Sequence, residues 1–273
     1  FLHKLIDRDI YWISRIYHIN KSPLKRKGEF SHNLFSYFSQ QISIPLIKFK
    51  SDLILTLAGT RKVLRNLKFP KKKTGVLNAG VNEELIKSAP TNNETFSCFY
   101  LGTIVYTKGA FDLLDVWAEV VKNRKNYQLA VIGGGDQEII SKFKEKISTL
   151  NLSDNIKYFG RIEKDEDVYS IIKSSKVCII PGHENGWSLP ATEAMTAGVP
   201  VVGYALDMFG EAFKKGFAVS PLYDHKALAE KICEVLENKE IWETLHQEAL
   251  DESSKFSWKN IAEDFEQFLD KLN

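Results

Sequence analysis

No run of about 18 uncharged apolar residues occurs in this chain, so no membrane-spanning helix is expected. Cysteine is scarce: Cys98, Cys178 and Cys233 lie far apart, in the apolar runs FSCFY, KVCII and EKICEVL. That pattern reads as buried reduced thiols rather than a disulfide framework or a metal site. No Walker A sequence is present, which argues against a P-loop nucleotidase. The run GGGDQE places Glu138 where the dinucleotide fingerprint needs its third glycine. Repeats and low-complexity tracts are lacking too. No signal peptide is visible, but the chain starts at Phe1 without a methionine, and an upstream segment is expected to be missing.

The 273 residues suffice for two modest domains or one large one, with ordinary apolar (44%) and charged (26%) fractions. The net charge of +2 conceals an asymmetry. Residues 1–95 carry 17 Lys/Arg against 7 Asp/Glu, and the remainder carries 20 against 28. A basic front and an acidic back suit different partners. An anionic membrane surface, a phosphate-bearing substrate, nucleic acid and a merely solvated lysine-rich face all fit the front.

From Phe99 onward, short apolar runs alternate with helical periodicity. FYLGTI, YQLAVIGGG, NIKYFGRI, KVCIIP, VPVVGY and GFAVSP read as strands. Between them, Phe111, Leu114, Trp117 and Val121 share one helical face, and Ile139, Ile140, Phe143, Ile147 and Leu150 another. EDVYSIIKSS and LPATEAMTAG read as shorter helices. Strands apolar on both faces, separated by amphipathic helices, predict a doubly wound parallel α/β domain. Three helices follow, over 225–238, 239–254 and 257–272, with Ser257 as N-cap of the last. In the front half, SDLILTLAGT, RKVLRNLKF and KTGVLNAGV read as strand, basic helix and strand, too little for a complete domain. Residues 1–50 read as mainly helical with a loop around NKSPLKRKGEF, and the polar segment 82–95, containing Pro90, reads as a linker.

Open α/β sheets bind ligands beyond the carboxyl ends of their strands. There lie Gly102, Thr103, Lys108 and Gly109 after the first strand, Gly133, Gly134 and Gly135 after the second, and Gly160 with Arg161 after the third. Glycines permit close backbone approach, and Lys108 at a helix start adds charge to the helix dipole, so the set suits a phosphate or pyrophosphate. After the fourth strand comes PGHENGWSLPATEAM, with His183, Glu184, Asn185, Gly186, Trp187, Ser188 and Leu189 in its elbow. Pro190 suits a first helical turn. Glu193 is spaced to accept hydrogen bonds from a sugar diol; alternatively it is a helix-dipole acid and Trp187 a core aromatic. The pairs Asp7/Asp9 and Asp165/Asp167 are weak metal-ligand candidates, and no metal is expected.

From about Asp52 onward the chain resembles the retaining glycosyltransferases of family 4, which have the GT-B fold of two Rossmann-like domains facing a cleft. The matching pieces, in order, are NAGV (78–81), LGTIVYTKG (101–109), VIGGG (131–135), YFGRI (158–162), PGHENGWSLPATEAM (181–195), GVPVVGY (198–204) and the closing FSW helix. The resemblance implies an incomplete N-terminal acceptor-side α/β domain over 1–81, a nucleotide-sugar domain over 96–255, and a last helix, 256–273, crossing back. It implies a nucleotide-diphosphate sugar donor, sugar transfer with retention, no metal cofactor and no nucleic-acid partner. Lys108 would neutralise the pyrophosphate, the backbone of Gly186 to Leu189 would contact phosphate and sugar, Glu193 would hold the ribose, and the loop of Gly160, Arg161 and Ile162 would lie against the base. A glycan or lipid-linked acceptor is implied; the chain is expected to be cytoplasmic, and the charge of its basic front half suits peripheral contact at the cytoplasmic membrane face.

Thr103 stands where the family usually has Arg. The family's first glutamate position is occupied by Asn185, with Glu184 one step early. His3 reads either as an acceptor-side histidine or as a solvent-facing one. The alternative function is a nucleotide-sugar binding protein without catalysis; an epimerase or phosphorylase of the same architecture fits the motifs less well.

Overall fold

The computed structural model describes residues 13–16, 30–183 and 186–270, with side chains omitted for 30–38. His3, Asp7, Asp9, most of the NKSPLKRKGEF loop, Glu184 and Asn185 lie outside the described residues.

The larger unit is built on a six-stranded, wholly parallel sheet. In chain order its strands are β4 (Phe96–Leu101), β5 (Leu129–Ile132), β6 (Ile156–Gly160), β7 (Ser175–Ile180), β8 (Val201–Tyr204) and β9 (Phe217–Ser220). Their spatial order is β6-β5-β4-β7-β8-β9. The strands are apolar on both faces because both faces are covered. Phe99, Ala130, Cys178, Ile180 and Val201 face one core, with residues of α6 (Asp165–Lys173) and α7 (Leu189–Thr196). Cys98, Tyr100, Leu129, Val131, Val177, Ile179 and Val202 face the other, under α4 (Ala110–Val121), α5 (Gln137–Thr149) and α8 (His225–Glu237). Strand order reverses between β4 and β7, which pair in parallel, and a cleft opens at the carboxyl ends of that pair.

The smaller unit has three parallel strands, β1 (Ile13–Ile16), β2 (Leu53–Thr56) and β3 (Thr74–Val76). The helices α1 (Phe30–Lys50) and α2 (Arg61–Asn66) join them. β1 is a strand within a region whose composition reads as helical. Its pairing is long-range, Ile13 opposite Leu53 and Ile16 opposite Thr56, and only Ile16 becomes buried.

The polar segment 82–95 holds the helix α3 (Glu83–Ser88), capped by Asn82, whose side chain accepts from the Leu85 amide at 3.1 Å. Its Ile86 is fully buried in the core of the larger unit. After α8 come α9 (Lys239–Ser253) and α10 (Trp258–Asp270). Ile261, Phe265 and Phe268 of α10 pack on Leu53, Leu55 and Leu77 of the small unit, so the last helix crosses back. The Ser257 hydroxyl accepts from the Asn260 amide at 3.2 Å and starts that helix.

Candidate functional site

Backbone hydrogen bonds tie together the loops that leave β4, β5 and β6. Gly102 N–H donates to Ile132 O (3.0 Å), Ile104 N–H to Gly134 O (2.8 Å) and Gly133 N–H to Gly160 O (2.8 Å). The buried Tyr100 hydroxyl donates to Thr103 O at 3.1 Å and holds the first turn, burial raising its pKa. Only glycine fits at Gly133: its φ is +150°, and a Cβ would stand 1.9 Å from Gly102 O. The resulting depression, about 870 Å³, is walled by Gly102, Thr103, Gly133, Gly134, Gly135, Gln137, Lys144, Tyr158, Gly160 and Arg161. Arg161 pairs with Glu163 at 3.0 Å on the exposed rim. Ile162 instead packs against the core.

A second cavity of about 350 Å³ adjoins it through Leu101, Gly102 and Thr103. Lys108, Ile180, Pro181, Gly182, Trp187, Ser188, Leu189 and Pro190 complete its larger-unit wall, and Leu57 and Ala79 face it from the small unit. The start of α7 therefore lies at the cleft. The Ser188 hydroxyl caps this helix, accepting from the Ala191 amide at 3.2 Å, and Pro190 occupies its first turn. The positive end of the helix dipole and Lys108 line one concavity, an arrangement that favours an anion. Gly186 O accepts from Gly59 N–H of the small unit at 3.1 Å, so the elbow touches both units.

Trp187 is both wall and core. It is 8% exposed, stacks on Phe213 with centroids 5.0 Å apart, and meets Phe256 edge-on. Glu193, one turn into α7, lines neither cavity. Its Oε1 accepts from the Tyr169 hydroxyl at 3.4 Å. Burial pushes its carboxyl up to about 7, with the Tyr169 hydrogen bond opposing and the Asp165 charge adding. Gly109 begins α4 at φ +71°, and a Cβ there would lie 1.8 Å from Pro181 O. Lys108-Gly109 and Pro181-Gly182 are thus in backbone contact. His183 lines neither cavity; its Nε2 lies 2.9 Å from Asp112 Oδ2. Asp165 and Asp167 stand in the first turn of α6, where acids complement the dipole.

The model of the glycosyl transferases group 1 family matches residues 81–252. The chain belongs to that family. Among curated relatives, an uncharacterized glycosyltransferase of Methanocaldococcus jannaschii is 27% identical, covering 70% of this chain and 52% of its own length. A phosphatidyl-myo-inositol mannosyltransferase of Mycobacterium leprae is 27% identical over 67% of this chain and 50% of its own length. The chain thus spans about half the length of the curated relatives it matches. Among solved structures, sucrose-phosphate synthase from Thermosynechococcus elongatus superposes with a TM-score of 0.78 at 18% identity, over 99% of this chain and 70% of that one. Anabaena HepE, solved in complex with UDP, gives 0.76 at 16% identity over 94% and 71%. The α/β fold with parallel sheets is that of GT-B glycosyltransferases.

Within this glycosyltransferase fold, Asp112, Tyr169 and His225 were not singled out by sequence reasoning. Asp112 carries the one usable hint, four residues after Lys108 in the first turn of a helix.

Proposed function

We propose that the chain binds a nucleotide-diphosphate sugar across its two adjoining cavities and acts as the donor side of a retaining glycosyltransferase of family 4. The observation that carries this reading is the convergence of Lys108 and the α7 N-terminus on one cavity that runs into a glycine-walled depression. The diphosphate rests between Lys108 and the α7 start, the sugar against the elbow, and the base in the depression beside Gly160 and Arg161. Charge that develops on the departing diphosphate is met by Lys108 and the helix dipole, with no metal cofactor assigned. Glu193, which lines neither cavity and accepts from the Tyr169 hydroxyl, is assigned the ribose diol. The small unit faces the acceptor, a glycan or lipid-linked molecule, and its basic surface contacts an anionic membrane surface at the cytoplasmic face.

Calorimetric titration with UDP and GDP tests the site. Lys108→Ala and Glu193→Ala each weaken the tighter of the two at least tenfold. Unchanged affinity in both variants removes the assignment.

A second reading is favoured by Asn185 standing at the family's first glutamate position and Thr103 at its arginine: binding of a nucleotide sugar without turnover. Release of free or transferred sugar from UDP-glucose or GDP-mannose by the chain separates the two.

A further inference from the structure

Asp112, His183 and His225 form a cluster beneath the elbow. Both imidazole Nε2 atoms contact the same carboxylate oxygen, at 2.9 Å for His183 and 3.1 Å for His225. His183 is 8% exposed, so it carries a buried polar ring on a loop that otherwise runs along the cleft. Burial alone would push the Asp112 carboxyl up, but its hydrogen bonds and charge contacts with the two histidines outweigh this and hold it below its ordinary value. The carboxylate is therefore ionised across the neutral range and accepts two hydrogen bonds, the stronger, charge-assisted kind.

Each member sits on a different part of the cleft rim. Asp112 is in the first turn of α4, directly after Lys108 and Gly109. His183 precedes the elbow, and its own N–H donates to Thr107 O at 3.1 Å. His225 opens α8 after the β9 loop. In that loop Tyr223 holds a left-handed φ of 67°, costly for a residue with a side chain, and sets its ring 4.7 Å from that of His183. The elbow is thus fastened to the Lys108 turn by side chain, by main chain and by the Gly109–Pro181 backbone contact.

We propose that Asp112 is a positioning residue of the donor site, clasping His183 and His225 so that the elbow of Gly186 to Leu189 keeps its distance from Lys108. The inference rests on the donor-site reading above and adds the device that sets its geometry. A phosphate bound between two loops loses most of its interaction when one loop shifts by about an ångström, so a supporting contact outside the cavity controls affinity.

The test uses UDP binding by calorimetry, together with hydrogen exchange over residues 181–189 of the unliganded chain. Asp112→Ala and His183→Ala each weaken UDP at least tenfold and raise exchange in the elbow. The double variant is no weaker than Asp112→Ala alone, because that substitution already removes the His183 contact along with the His225 one. His183→Gln, which keeps an N–H donor near the Nε2 position, regains most of the affinity that His183→Ala loses. A merely structural contact would lower the melting temperature and leave the affinity of the folded protein unchanged, and that result overturns the proposal. Additive losses in the double variant also overturn it. If Lys108→Ala binds UDP normally as well, the donor-site reading fails and the clasp's role in it fails too. If Lys108→Ala is weakened while Asp112→Ala is not, the clasp alone falls.

Discussion

Glu193 has two demands on one carboxyl. To accept from both hydroxyls of a diol through its two oxygens it must be ionised, yet its surroundings favour the proton: its pKa of about 7 stands well above the ordinary 4.5. Between those two values the folded protein holds a proton that the unfolded chain has released. Stability from this group is complete below about pH 4.5 and is lost as pH rises through 7. Glu193→Gln removes that dependence while keeping a carbonyl for the Tyr169 hydroxyl. At roughly 1.4 kcal/mol per pKa unit, the variant is expected to be more stable than the parent by up to about 3 kcal/mol at pH 8, and equal to it near pH 4. Urea unfolding at both pH values measures the difference, and parallel pH curves for the two proteins would refute it. The same variant loses nucleotide affinity, a trade of stability for function confined to one side chain.

At the scale of elements, the two units are joined by chain that returns as well as chain that leads forward. Val81 N–H donates to Phe256 O at 2.9 Å just before α10, and Ile261 of that helix is 7% exposed against β2 and the residue after β3. Gly75 admits the Phe268 ring, which would lie 2.3 Å from a Cβ there. Ile261→Ala is expected to cost about 2 to 4 kcal/mol, the usual price of emptying a buried aliphatic site. Urea unfolding at constant pH checks this; a loss below about 1 kcal/mol would mean that the helix is not held by this face. Elements of this kind were legible in the sequence where burial is two-sided. The apolar strands of the large sheet and the glycines at their ends announce themselves locally. β1 does not, because a four-residue strand with one buried residue carries no period. α3 hides in a polar stretch, with only Leu85 and Ile86 marking its inner side. The Asp112 cluster is out of reach for a different reason: its partners are 71 and 113 residues away, and no spacing rule spans such distances.

For the whole molecule, the charge asymmetry acquires a location. No acidic residue occurs in α1, and Ile42, Leu46 and Phe49, spaced along one helical face, are 70%, 56% and 76% exposed. Lys48 and Lys50 share that helix, and Lys71, Lys72 and Lys73 lie in the same unit. An apolar stripe on a unit rich in lysine suits the headgroup layer of an anionic bilayer: apolar side chains enter the acyl boundary while each lysine near the surface adds about 1 kcal/mol of attraction. No described helix is long and apolar enough to cross a membrane. The small unit also faces the cleft through Leu57 and Ala79, which would bring a lipid-linked acceptor to the donor sugar without leaving the membrane plane. Co-sedimentation with phosphatidylcholine vesicles, with and without phosphatidylglycerol, tests the idea. The chain is expected to pellet with the anionic vesicles, and to be released as salt shortens the Debye length. Ile42→Ser combined with Phe49→Ser, both at exposed positions, should weaken that binding at least fivefold without altering the melting temperature. Equal pelleting with neutral and anionic vesicles, or none with either, rejects the charge-guided contact.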